Sequence, residues 1–296
     1  MDKTNQIMKC FQILLIILIF PFFGFGQRIN NKKKDSQAKG ALFFYWGYNR
    51  SFYTNSKLSF YGQGYNFSLD GVQATDRPSP EFITYVNPTT LTVPQFNARI
   101  GYNFKNKWAV SFGYDHMKYV IVPGPTYLLS GNINPGIDEA TNWSGTYNAE
   151  PVSFEDSLFH YENTNGMNYI RLELSHIDKL VRGNNAFSLS LIKSIGTGVI
   201  LNYNDFTFAG QKSMTTLSMS GIGLSAHLGL RFEFFKHFFL QANNSVGLLY
   251  QHRVRTRGDD PYAYARQSFG YYQADVVLGG IFYLRSKKDC NTCPNW

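Results

Sequence analysis

The chain has 296 residues, 28 Lys and Arg against 20 Asp and Glu, a formal charge of +8, and three cysteines. Three cysteines cannot staple a disulfide-rich fold. With 26 Phe and 20 Tyr and few Ala-, Glu- and Lys-rich windows, strand is favoured over helix.

The chain opens with Lys3 and Lys9, then an apolar core from Phe11 to Phe23, then Gly24 and Gly26 three and one residues before Gln27. That order is a secretory signal over 1–26. Cys10 precedes the core rather than following it, which argues against a lipoprotein cut. A basic chain would suit nucleic acid, but an exported one rarely meets it. Residues 27–40, with Lys32, Lys33 and Lys34, form a polar segment expected in the periplasm. No later stretch reaches the ~20 apolar residues of a membrane helix.

From 41 to 285 apolar residues recur at every second position, in segments 41–52, 95–104, 107–121, 167–178, 186–203, 216–234, 237–252 and 268–285. The clearest sets Ile222, Leu224, Ala226, Leu228, Leu230, Phe232 and Phe234 against Gly223, Ser225, His227, Gly229, Arg231 and Glu233. A period of two is a strand with unlike faces. A soluble sandwich would bury the greasy face; a membrane barrel turns it to lipid and keeps the charges inside. Export and the connections favour the barrel. Lys105-Asn106, the stretch around 180–185 and Phe235-Lys236 are tight, whereas 53–94, 122–166, 204–215 and 253–267 are long. The expected fold is therefore an all-β, transmembrane, antiparallel up-and-down barrel of eight strands, with short periplasmic turns, long outer loops and a periplasmic tail over 286–296.

Two places resist. Residues 57–69 look strand-like and form either a hairpin in the first outer loop or part of a ten-stranded barrel. Lys193 faces lipid under strict alternation, at a mid-membrane cost of roughly 2–4 kcal/mol. A bulge near Leu191-Ile192 would turn it inward, or the lipid band lies elsewhere on that strand.

The pattern resembles small outer-membrane barrels of the OmpA, OmpX and OmpW type. The stretches 113–119 (GYDHMKY), 160–169 (HYENTNGMNY) and 234–241 (FFKHFFLQ) resemble an uncharacterised outer-membrane barrel family of Bacteroidetes and flavobacteria. That resemblance implies fold and location in a Gram-negative outer membrane, and no activity. The stretch 277–284 (VLGGIFYL) resembles the signal read by the barrel assembly machinery.

The inward set contains Arg99, Asp115, Arg171, Glu173, His227, Arg231, Glu233 and Asp275. An unpaired buried charge is costly, so these are expected to pair into a plug. Asp115 or His116 with Ser111, and His227 with Ser225 and Asp275, are the candidates for nucleophilic chemistry; no spacing singles them out, and no catalytic residue is assigned. Loop 122–166 holds Asp138, Glu139, Glu150, Glu155, Asp156 and Glu162 without Lys or Arg. It reads as a solvated acidic loop, or a ligand or cation surface lacking calcium-loop spacing. Loop 53–94 carries Tyr53, Phe60, Tyr61, Tyr65, Phe67, Phe82 and Tyr85, which form a contact surface or extend the wall. Arg257-Gly258-Asp259 is an adhesion-like tripeptide too short to carry weight. Cys290 and Cys293 are placed for a local disulfide; one pair falls short of a zinc site. Neither metal nor cofactor is expected. The reading is a non-enzymatic barrel touching lipid and an extracellular or cell-surface ligand through its outer loops. Transport of a small or hydrophobic solute stands second, and a lipid-modifying hydrolase third.

Overall fold

A computed structural model describes residues 36–182 and 187–284. The signal segment, Lys32–Lys34, Arg285, the tail, Cys290 and Cys293 lie outside the described residues. Eight strands form the wall: β1 (Ala41–Tyr53), β5 (Phe96–Lys105), β6 (Trp108–Ile121), β9 (His160–Arg182), β10 (Phe187–Phe208), β11 (Gln211–Phe234), β12 (Phe238–Arg255) and β13 (Tyr264–Tyr283). Each pairs antiparallel with the next, and β1 pairs with β13, closing the cylinder. Closure satisfies every edge of the wall, which a span through hydrocarbon requires.

The register fixes the tilt. Paired residues followed once around, from Leu42 through Tyr102, Val110, Leu174, Ile195, Ala226, Val246 and Tyr272, return to β1 at Phe52, ten residues up the strand. That stagger over eight strands tilts them by about 40° and leaves a bore that side chains fill.

The two faces are inverted relative to a soluble barrel. Ile195, Leu248 and Leu278 are 65%, 68% and 66% exposed, while Arg99, Asp115 and Arg171 are at 4% or less. Phe104, Phe187, Phe234, Phe238 and Phe282 rim the periplasmic end of the greasy band, and Tyr48, Tyr114, Tyr250 and Tyr272 rim the other. This is the lipid-facing band and paired aromatic girdles of a transmembrane barrel.

Lys193 stays outward. Its pairing with β11 runs unbroken from Phe187 to Ile200, so no bulge at 191–192 turns it in. It reaches to Asp178 at 2.9 Å, two residue pairs nearer the periplasmic turn. Trp108 packs on His176 beside them at 4.8 Å. A long stem carrying its charge toward the membrane edge is the usual solution for a lysine on lipid.

Outside the band, β2 (Ser56–Gly62), β3 (Tyr65–Val72), β7 (Tyr127–Ile133) and β8 (Gly145–Val152) continue the sheet from the upper end of β13, in the order β13-β2-β3-β7-β8. The 57–69 segment is thus a hairpin of this extension, and the wall keeps eight strands. The two-residue β4 (Ala74–Thr75) fills the gap above β5, between β1 and β6. The expected loop 204–215 is largely strand, with β10 and β11 turning at Ala209-Gly210, and the expected loop 253–267 shortens to 256–263 between β12 and β13. At the periplasmic end, Phe235 and Lys236 both take positive φ, 51° and 63°, as the tight β11–β12 turn demands.

Candidate functional site

The bore is filled in layers. At the periplasmic mouth the chain before β1 crosses the opening. The Ser36 hydroxyl donates to Glu233 at 2.7 Å, the Asn103 amide donates to the Ser36 carbonyl at 2.6 Å, and the Lys107 N–H donates to the Gln37 carbonyl at 2.8 Å. Above it lies an apolar ring that includes Phe43, Tyr45, Ile177, Ile192, Phe239 and Ile281.

The ionic layer follows. Arg99 donates to Glu173 at 2.8 Å and to Asp115 at 3.0 Å. Arg171 approaches the second Asp115 oxygen at 2.5 Å, a charge contact without hydrogen-bond alignment, and Glu173 at 3.4 Å. Two guanidiniums and two carboxylates make a buried set in which each charge has a partner. Losing one member would strand the others, at about 3–5 kcal/mol.

The other inward charges do not pair as expected. Arg231 donates to the Gln241 side chain at 2.7 Å and stacks between Phe239 and Phe43, 4.2 and 5.0 Å from their ring centres. Glu233 accepts from Ser36 and Ser188, both at 2.7 Å. Asp275 accepts from Asn243 at 2.6 Å. Among the described residues none of these three meets an opposite charge within 4 Å. Amides, hydroxyls and aromatic faces take that role.

The two catalytic candidates are not assembled. Asp115 faces inward to the arginines. His116 faces the other way, bonded to Asn168 at 2.7 Å and stacked on Phe96. His227 Nε2 does lie 2.8 Å from the Ser225 hydroxyl, but Nδ1 meets Arg171 at 3.4 Å rather than Asp275. The nearest carboxylate, Glu173, stands 3.9 Å away on the Nε2 side, so Nδ1 has a cation where an orienting carboxylate is needed.

Beyond the band the bore becomes apolar. Phe60, Phe67, Tyr119, Phe159, Tyr161, Phe206 and Phe208 are all buried, and Phe60 stacks on Phe67 and Phe206, both at 5.1 Å. Loops 53–94 and 122–166 thus fold into an aromatic dome closing the outer mouth. Phe60 and Phe67 belong to its core rather than to a contact surface, whereas Phe82 is 78% exposed.

The six loop carboxylates are dispersed. Asp138 is buried and caps a turn, accepting from the Ala140, Thr141 and Trp143 N–H groups at 3.2, 3.0 and 3.2 Å. Asp156 and Glu162 meet across His160, at 2.6 and 3.2 Å, and Glu162 also binds Arg77 at 2.7 Å. Burial alone would raise the Glu162 carboxyl; bonds from His160 and Thr164 and the charge of Arg77 hold it at about 2. Burial alone would lower His160; its two carboxylates raise it. Glu139, Glu150 and Glu155 are exposed and stand apart. No group of three ligating side chains suited to a metal occurs among the described residues. Arg257 is not an adhesive tip: it is buried and donates to the Phe208 and Gln211 carbonyls at 2.9 and 3.0 Å.

Sequence reading missed Arg77 and Arg50, which tie the first outer loop down. Arg50 binds Asp76 at 2.6 Å, and no local pattern announces either pair. On the lipid side, Val110, Leu172, Leu174, Ile195, Leu224 and Val246 surround a groove of about 780 Å³ over Ala226 and Thr197.

No family model and no curated protein matches the chain. Similar solved structures include OprG from Pseudomonas aeruginosa, at 12% identity and a TM-score of 0.36 over 84% of this chain and 99% of that one. Ail, the attachment invasion locus protein of Yersinia pestis, solved with the heparin analogue sucrose octasulfate, matches at 14% identity and 0.33 over 82% and 99%. The N-terminal β-barrel domain of Pseudomonas aeruginosa OprF matches at 10% and 0.32 over 83% and 100%.

Proposed function

We propose that the protein is a non-enzymatic barrel of a Gram-negative outer membrane that holds an extracellular or cell-surface ligand through its outer crown. The single observation that carries this is the filled bore: apolar ring, ionic layer and aromatic dome stand in series. A transport role needs a path past all three. An enzymatic role needs an oriented base, and His227 is oriented by Arg171.

In this reading residues 1–26 are removed after export, and residues 27–40 and the tail from 286 lie in the periplasm. Residues 277–284 present the chain to the barrel assembly machinery. The resemblance of 113–119, 160–169 and 234–241 to a Bacteroidetes barrel family supports the same location. Pull-down from intact cells tests the function, using the full chain and a form trimmed within 53–94 and 122–166. The trimmed form should keep the gel-shift of a folded barrel and lose the captured ligand. Equal capture by both would overturn the role given to the crown.

A further inference from the structure

Outward residues of β12 and β13, taken upward, change character in the same sequence. On β12 they run Val246, Leu248, Tyr250, then His252 and Arg253; on β13 they run Val276, Tyr272, Ser268, Arg266, Tyr264. Hydrocarbon contact gives way to a phenol ring and then to arginine. Arg253 follows the girdle residue Tyr250 by three positions, about 10 Å of strand. These guanidiniums therefore stand on the lateral wall just beyond the girdle, where lipid headgroups lie.

The arginines are positioned there. Tyr61 of β2 pairs with Tyr264 of β13, and their rings stack at 4.7 Å and 17°. Arg253 lies over Tyr264 at 5.1 Å, and Arg266 lies 5.6 Å from Tyr61 and 6.0 Å from Tyr264. One donor of each is fixed by backbone: Arg253 bonds the Pro261 carbonyl, and Arg266 bonds the His252 carbonyl at 3.4 Å. Neither has a carboxylate within 4 Å among the described residues, unlike Arg50 on the neighbouring strand β1 and Arg77, which bind Asp76 and Glu162. Two planar cations held on a tyrosine stack, with donors left over and no internal anion, suit a phosphate.

We propose that Arg253 and Arg266, seated on Tyr61 and Tyr264, bind the phosphorylated headgroup of an outer-leaflet lipid. The lateral direction and the height favour a membrane lipid over a soluble anion, which would meet the apical crown first. Arg253 and Arg266 lie outside loops 53–94 and 122–166, and replacing them leaves those loops in place, so this proposal can fail while the crown's ligand binding stands.

The test uses the full folded chain in detergent micelles, with bis-phosphorylated lipid A as the probe and native mass spectrometry as the readout. Wild type should retain the lipid, and R253Q/R266Q should bind it at least about tenfold more weakly. Wild type should show the same loss with dephosphorylated lipid A, and Lys212→Gln, remote from the patch, should bind like wild type. Gel-shift of each variant verifies the folded barrel. Equal retention by R253Q/R266Q would overturn the proposal. Competition by a soluble polyanion of matched charge at equal concentration would also overturn it, and would assign the patch to a soluble ligand.

Discussion

Gly113 of β6 is the seat of Arg99. The two are direct partners across β5 and β6, and a Cβ on Gly113 would stand 2.5 Å from the carbon of the Arg99 guanidinium. A side chain there would push Arg99 off both carboxylates it serves. Gly113→Val should therefore destabilise the barrel by about 3 kcal/mol or more, combining overpacking with a broken buried pair. Reversible urea unfolding in lipid vesicles measures it; a change under 1 kcal/mol would mean the ionic layer adapts freely.

Closure in series predicts that no single layer is the gate. A barrel trimmed over 123–157 loses Tyr127, Leu129, Ile133, Trp143 and Phe154 from the cluster of the dome but keeps Arg99, Asp115, Arg171 and Glu173. In a planar bilayer it should carry no more current than the intact protein. Steady single-channel steps from the trimmed form would show that the dome alone seals the bore.

The short helix Ile83–Val86 is joined to the wall where Tyr48 donates to the Tyr85 carbonyl at 2.5 Å. Phe82, Ile83, Val86 and Val93 around it are more than half exposed. At the height of the outer girdle this apolar set should rest in the interface. Phe82→Trp should be quenched by lipids brominated near the headgroup, about twofold more than by lipids brominated at the chain ends. Insensitivity to both would lift the helix clear of the membrane.

The His160–Glu162 contact should make the second outer loop pH-sensitive. Glu162 is depressed to about 2 from 4.5, so its share of stability is present above 4.5 and lost as pH falls toward 2. His160 is raised above 6.5, so its share is full below 6.5 and lost as pH rises through the folded value. The loop should resist limited proteolysis best between about 4.5 and 6.5. Arg77→Ala should weaken it by about 1 kcal/mol, since Arg77 is largely exposed. Protection that climbs steadily into alkaline pH would contradict this assignment.

The wall was legible because parity alone decides which face a residue joins, and a single inverted face signals lipid. The upper strand ends were not. In β10 the inward residues are Ser194 and Gly196 within the membrane but Phe206 and Phe208 beyond it, while Asp205 and Thr207 turn outward. The polarity of each face reverses partway up, and a register shift between Asn204 and Phe206 adds a break. A pattern read with one polarity therefore stops too early and leaves a loop. The inward charges were visible one by one, but not their partners. Arg231 and Asp275 bond their direct cross-strand partners, Gln241 and Asn243, so their partners follow from the pairing register, which is no property of one segment. Arg99 reaches past β6 to Glu173 on β9, a contact set by the curvature of the cylinder.

The hairpin joining β7 to β8 lies at the far end of the sheet extension, and Pro135 and Gly136 at its tip are exposed. The strand before it and the strand after it are held by the aromatic dome rather than by the tip itself. A foreign epitope spliced between Pro135 and Gly136 would be carried to the outside of an intact cell and reach an antibody.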